Sequence, residues 1–329
     1  MLLSIVIPCY NAEKYIKNCI DKVLSINVEK EIIVINDGST DNSLRILQNY
    51  NNRIKLLNFD KNLGVCHARN VGLKFAKGQY IGFIDIDDDF DIEMFPKMLK
   101  AILSSKADLA FCNLDFIKPN GKVMRSKYSI DFGILDKKAS ICEYLMDKIY
   151  PSQCICLYNS SIIKKTKFSE NIDTVGADIN FVLKCLLLSE KVIFIDEPLY
   201  HYIQRDSSIM HSLSDRLVCG HLDVINTLDK KDYDYLSTNF PDEFEYFKLE
   251  MIQRAVNAVS LISNKKNKKQ AALLIKKCCD KNVCKRIINN RFSPKYIKIE
   301  FFIIKIFGVR FHLFIFPLYN FIRTSIRHN

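Results

Sequence analysis

Apolar and polar residues alternate along the first part of the chain in two rhythms. Residues 2–7 (LLSIVI) and 31–35 (EIIVI) are dense apolar runs rich in β-branched residues, each followed by polar turn residues. Runs of this kind are strands buried on both faces, and such strands belong to a parallel sheet. Between them Tyr15, Ile16, Cys19, Ile20, Val23 and Leu24 recur at helical spacing, which completes a βαβ unit. The rhythms continue and predict helices over 41–50, 63–76 and 92–103, with strands over 54–58, 80–84 and 107–113. This is a doubly wound, mostly parallel α/β arrangement. Right-handed crossovers place the loops after residues 7, 35, 58 and 84 at the carboxyl edge of one sheet, where open sheets bind their ligands. The signal then weakens, returns as a helix over 178–188 and a strand over 191–195, and is helical from about 214 to 290. The expected division is 1–210 as the α/β unit and 211–329 as a helical C-terminal region.

Composition narrows the class. With 48% hydrophobic and 26% charged residues in 329, dominant disorder is excluded. The 12 cysteines show no framework spacing and read as reduced, mostly buried thiols of a cytoplasmic protein. Met1 to Pro8 has neither the basic start nor the small-residue cleavage site of a signal peptide. No uninterrupted run of 18 apolar residues occurs, so any membrane contact is expected to be peripheral. The net charge of +11 is concentrated: residues 264–329 hold 16 Lys/Arg against 2 Asp/Glu. A near-neutral body with a basic tail points to an anionic surface, phospholipid or nucleic acid.

Four clusters could carry chemistry. Asp85, Asp87, Asp88, Asp89 and Asp91 fall within seven residues directly after the strand YIGFI. Their mutual repulsion calls for a cation, the plain alternative being a solvated acidic turn. An EF-hand loop is excluded, because Phe90 stands where its glycine is required and Pro96 where its last glutamate is required. Hard oxygen ligands with room for water and phosphate suit Mg²⁺ or Mn²⁺ on a diphosphate. Asn36 to Asp41 is a glycine turn in which Ser39 or Thr40 could cap the next helix, and its carboxylates could also accept from a base or ribose. Arg69, near the start of the helix over 63–76, could fork onto phosphate oxygens. Asp178 is by default a carboxylate at a helix start, alternatively a general base. There is no GxGxxG, no GxxxxGK[ST], no HExxH and no paired CxxC.

In order and spacing, Ile5 to Ala12 (IVIPCYNA), Ile33 to Asp41 (IVINDGSTD), Ala68-Arg69-Asn70, Ile81 to Asp88 (IGFIDIDD) and Asp196 to Tyr202 (DEPLYHY) resemble the family 2 glycosyltransferases of the GT-A fold, over about residues 1–210. The resemblance implies an inverting, metal-dependent transferase with a nucleoside diphosphate sugar, usually UDP-linked, as donor. Carried over, Pro8, Tyr10, Asn11 and Ser39 line the nucleotide pocket, Asp37 holds the uracil and Arg69 approaches the diphosphate or base region. Asp85 meets the ribose or the metal shell, Asp87 binds Mn²⁺ or Mg²⁺, His201 joins the metal, and either His201 or Arg205 with Ser207 and Ser208 closes over the diphosphate. The family's Glu-Asp pair is here Ala177-Asp178, which leaves Asp178 as the base. The metal and Arg69 would stabilise the leaving diphosphate while Asp178 takes the acceptor's proton.

The implied acceptor is a glycan of cell-surface polysaccharide synthesis (O-antigen, capsule or lipooligosaccharide), carried on a lipid. A polyprenyl phosphate acceptor, or a non-catalytic sugar-nucleotide or nucleic-acid binding module, are the alternatives. Nucleic acid is not expected, since the acidic cleft opposes it. Residues 297–322 contain 18 apolar positions, seven of them Phe, interrupted by Lys298, Glu300, Lys305 and Arg310. They predict an amphipathic helix or a hairpin around Gly308. With the basic charge, the tail is expected to dock peripherally on the anionic inner face of the cell membrane.

Overall fold

A computed structural model of the protein describes residues 2–308, apart from 51, 127–132, 171–173, 206–214 and all but four positions of 262–279. Ser207, Ser208, residues 265–268 of the lysine cluster and the tail from 309 lie outside the described residues. The chain divides into two compact units, Met1–Asp206 and Ser207–Asn329.

The first unit opens with β1 (Leu3–Cys9), α1 (Ile16–Ser25), β2 (Lys30–Asp37), α2 (Ser43–Gln48), β3 (Lys55–Phe59), α3 (Val65–Phe75) and β4 (Tyr80–Phe83). It continues through β5 (Asp89–Phe90), α4 (Met94–Ser105), β6 (Leu109–Ile117), β7 (Val123–Arg125), β8 (Ile134–Asp136), α5 (Lys137–Leu145), a 3₁₀ turn at Gln153–Ile155, β9 (Cys156–Asn159), α6 (Ser160–Ile163), α7 (Thr174–Leu188) and β10 (Lys191–Ile203). The sheet order is β3-β2-β1-β4-β9-β6-β10-β5, with β7 beside β6 and β8 beside β10. β1, β2, β3 and β4 are parallel and β9 runs against both neighbours, so the sheet is mixed with a parallel half. All seven residues of β1 are buried, as its unbroken apolar run requires. α3 lies close on the sheet because Gly72 carries no side chain: a Cβ there would stand 2.3 Å from Val6 Cγ1.

β10 is far longer than its apolar run. It passes Pro198 through two register shifts and reaches Ile203, pairing with the two-residue strand β5 inside the acidic segment. Pairing with partners distant in sequence, rather than local pattern, extends it. A cluster of Phe83, Tyr158, Phe168 and Phe181 fills the space under α3 and α7, with Phe168 and Phe181 stacked at 3.7 Å. The ten described cysteines are unbridged and eight of them are buried.

The second unit is helical where described: α8 (Asp215–Asn226), α9 (Lys230–Asn239), α10 (Pro241–Leu261), then Lys281–Asn289 and a helix over 295–308. Asp229 and Asp280 cap two of these by accepting from Asp232 N and Val283 N. Phe244, Phe247, Val256, Val259, Phe301 and Ile304 form its core. Among the described residues no helix is long and apolar enough to cross a membrane.

Candidate active site

At the carboxyl edge of the parallel half, the loops after β1 and β2 are tied together. Asn11, at φ +47°, donates from its backbone to Ser39 Oγ (3.0 Å) and accepts from Thr40 N at its side-chain oxygen (2.8 Å). Behind them Ala12 N donates to Ser43 Oγ, and Glu13 N to Asp41. Pro8 is buried in β1, while Tyr10 stands 48% exposed at the rim. Asp37, at the end of β2, is buried, and its two oxygens accept from Leu63 N (2.8 Å) and Gly64 N (2.9 Å). Gly38 follows at φ +65°, and a Cβ there would sit 2.3 Å from the Lys61 carbonyl carbon. The loop before α3 therefore rests on Gly38 and hangs from Asp37, which makes one wall of a cleft.

Further along α3, Arg69 gathers two carboxylates. It is buried on α3 over the Phe168 ring, donating from Nη1 to Asp178 (2.9 Å) and from Nη2 to Asp85 (2.8 Å). Burial alone would weaken its charge, but the two carboxylates outweigh that and raise its pKa. Gln153, fully buried, completes the group. With its amide nitrogen toward the carboxylate, it donates to both Asp178 oxygens (3.0 and 2.9 Å), and its oxygen accepts from Arg69 Nη2 (2.7 Å). Burial pushes the Asp178 carboxyl up to about 6; Arg69 opposes the rise and the Asp85 charge adds to it. The Asp178 side chain nevertheless keeps 26% of its surface open. A carboxylate poised near neutrality and open to the cleft can take a proton from a bound hydroxyl.

Asp87 pairs with Arg205 Nη1 (3.0 Å), whose guanidinium also donates to the Asp87 carbonyl and lies over Tyr15, 4.5 Å from the ring centre. Burial and the neighbouring Asp85 both raise the Asp87 carboxyl, and Arg205 offsets this only in part. Asp88 is structural. It accepts from Tyr200 OH (2.7 Å) and Ile203 N (2.9 Å), which pins the end of β10 to the acidic loop. Asp89 pairs with Lys22. Among the described residues, no three His, Cys, Asp or Glu side chains are grouped so as to hold a metal. Asp85, Asp87 and His201 thus make no three-ligand set. His201 lies on β10 in register with Asp89 and Asp115. The donor set at Asp87 and Asp85 is hard oxygen with crowded negative charge, which fits Mg²⁺ or Mn²⁺ provided that a diphosphate supplies further ligands.

The family model for glycosyl transferase family 2 matches residues 4–167. The chain is a family 2 glycosyltransferase. A curated relative of this transferase, glycosyltransferase GlyG of Streptococcus pneumoniae, is 29% identical over 242 residues, covering 70% of this chain and 79% of the relative. Among solved structures, S. aureus TarS 1-349 in complex with UDP-GlcNAc superposes with a TM-score of 0.67 at 18% identity, over 95% of this chain and 90% of that one. The mannosyltransferase PcManGT from Pyrobaculum calidifontis, in complex with GDP-Man and Mn²⁺, gives 0.53 at 12% identity, over 92% and 86%. These likenesses establish the GT-A fold.

In the transferase, the tertiary structure brings Arg69, Asp85 and Asp178 into direct contact across more than a hundred residues of sequence. It also gathers Asn11 and Ser39 at one loop crossing and sets Asp37 behind the loop before α3. Gln153 escaped sequence reasoning. It lies in a segment of weak periodicity, and nothing in a lone glutamine marks it; its only signal is proximity to the strand CLYN of β9 in a chain where Ala177 stands beside Asp178.

Proposed function

We propose that the protein transfers a sugar, with inversion, from a nucleoside diphosphate sugar of the UDP type to a hydroxyl of a cell-surface glycan acceptor carried on a lipid. The observation that carries this reading is Arg69, which joins Asp85 on the donor side to Asp178 through one buried guanidinium. Asn11, Ser39 and Asp37 form or support the nucleotide wall, and Tyr10 covers its rim. Asp87, with Asp85 beside it, would hold Mg²⁺ or Mn²⁺, which supplies charge stabilisation for the leaving diphosphate.

The chain's own residues supply the rest. Arg69 keeps its charge at any working pH and faces the side on which negative charge develops. Asp178, held by Arg69 and Gln153, accepts the proton from the attacking hydroxyl on the opposite face of the sugar. A single displacement of this kind inverts the anomeric carbon. Burial of Arg69 keeps water from competing for its guanidinium.

The test is turnover across a panel of UDP- and GDP-sugars with and without Mn²⁺ or Mg²⁺, using a lipid-linked glycan acceptor. Metal-dependent turnover of a UDP-sugar supports the reading. Failure to bind any nucleotide sugar overturns it, and efficient use of a bare polyprenyl phosphate would replace the glycan acceptor with the lipid phosphate itself.

A further inference from the structure

The helix over 295–308 has two apolar faces, and among the described residues only one of them is buried. Ile297, Phe301 and Ile304 are buried, and the helix's single acid, Glu300, is buried with them. On the other side Ile299, Phe302 and Ile306, spaced by three and four residues, are 55%, 53% and 55% exposed. At helical spacing these three form one stripe, about 10 Å long. Lys295, Lys298 and Lys305 stand in and beside it, and no acid on this helix reaches its surface. Apolar residues this large are seldom left in water in an ordered row without an occupant.

We infer that this stripe is a membrane-contact face: the helix lies in the plane of an anionic lipid surface, with Ile299, Phe302 and Ile306 among the acyl chains and the lysines on the headgroups. Three observations favour lipid over protein. The stripe is too small for a stable protein interface, which needs on the order of 1,000 Å² or more. A second copy of the chain meeting it across a two-fold axis would oppose Lys298 and Lys305 with lysines and bring no acid from this helix to pair with them. The wider segment 264–329, with 16 Lys/Arg and 2 Asp/Glu, matches an anionic leaflet and repels another copy of itself. The inference rests on the transferase reading only in giving that activity a lipid-bound acceptor.

The test is flotation of the full chain with vesicles of phosphatidylcholine alone and of phosphatidylcholine mixed with phosphatidylglycerol, at low and high salt. The expected result is that the wild type floats with the mixed vesicles, salt-sensitively, and not with the neutral ones. The double variant Phe302→Glu/Ile306→Glu should lose at least about tenfold in the bound fraction. Lys298→Glu/Lys305→Glu should cost about fivefold per residue. Because all these side chains are at least partly exposed, circular dichroism and UDP-sugar binding in solution should match the wild type. Should the glutamate pair fail to fold, Phe302→Ser alone gives the same readout. Flotation of the double variant equal to wild type overturns the inference, as does wild-type binding that ignores phosphatidylglycerol, or wild-type self-association that Phe302→Glu abolishes. A protein that binds UDP-sugars and does not float overturns the membrane face alone; one that floats and binds no nucleotide sugar overturns the transferase reading alone.

Discussion

Replacing Gln153 by leucine tests the construction of the base most directly. The side chain is fully buried and leucine is close to it in volume, so the substitution removes polar contacts with little change in packing. What is lost is an amide that donates to both oxygens of Asp178 and accepts from Arg69. Arg69 keeps Asp85 and Asp178 as partners, so its charge stays compensated. Asp178 loses a donor that favours its ionised form, worth about 1.5–3 kcal/mol for a hydrogen bond to a charged group. At about 1.4 kcal/mol per pH unit, its pKa should rise by about one to two units. Since the base acts ionised, the acid limb of the rate profile should move to higher pH by that amount. Near pH 7 turnover should fall about two- to tenfold, and near pH 9 it should recover to close to the wild type. Rate profiles of both proteins with a saturating donor decide the matter. An unchanged profile, or a loss equal at every pH, would refute the idea that Gln153 holds and tunes Asp178.

Asp178→Asn should abolish transfer and stabilise the fold. A carboxyl raised from its ordinary value to about 6 binds its proton more tightly folded than unfolded, so its contribution is present at low pH and lost as pH rises through that window. The asparagine variant should gain about 2–3 kcal/mol at pH 8 and nothing at pH 4 in denaturant titrations. Asp87→Ala should also abolish transfer but, unlike Asp178→Asn, should remove the Mn²⁺-dependent part of UDP binding measured by calorimetry. Gly38→Ala should cost on the order of 1–3 kcal/mol of stability and weaken UDP binding, because φ +65° and the contact with Lys61 leave no room for a Cβ. Tyr200→Phe removes the hydroxyl that Asp88 accepts from and should lower stability by about 1–3 kcal/mol, read from the denaturation midpoint.

The parallel half of the sheet could be read from the sequence because its strands are buried on both faces. Short runs enriched in β-branched residues, such as LSIVIPC and EIIVI, suit strands buried on both faces, and the helices between them declare themselves by spacing. The acidic run after YIGFI and the Asp37-Gly38 turn were visible for the same reason: their position at strand ends follows from chain order. What each carboxylate does was not visible. Asp85 meets Arg69, Asp87 meets Arg205, Asp88 holds Tyr200 and Asp89 meets Lys22, four fates that depend on partners up to 118 residues away. Likewise β9 inserts antiparallel between β4 and β6, and β10 runs on past Pro198, because the strands beside them offer unpaired backbone groups.

Local pattern thus determined which segments are strands or helices and which polar clusters lie at the ligand edge, since hydrophobic period and turn chemistry are properties of neighbouring residues. Only the tertiary structure decided that Gln153 completes the Arg69–Asp178 group and that the helix over 295–308 turns Phe301 inward and Phe302 outward. Those outcomes are set by charge compensation and burial among residues that meet only when the chain is folded.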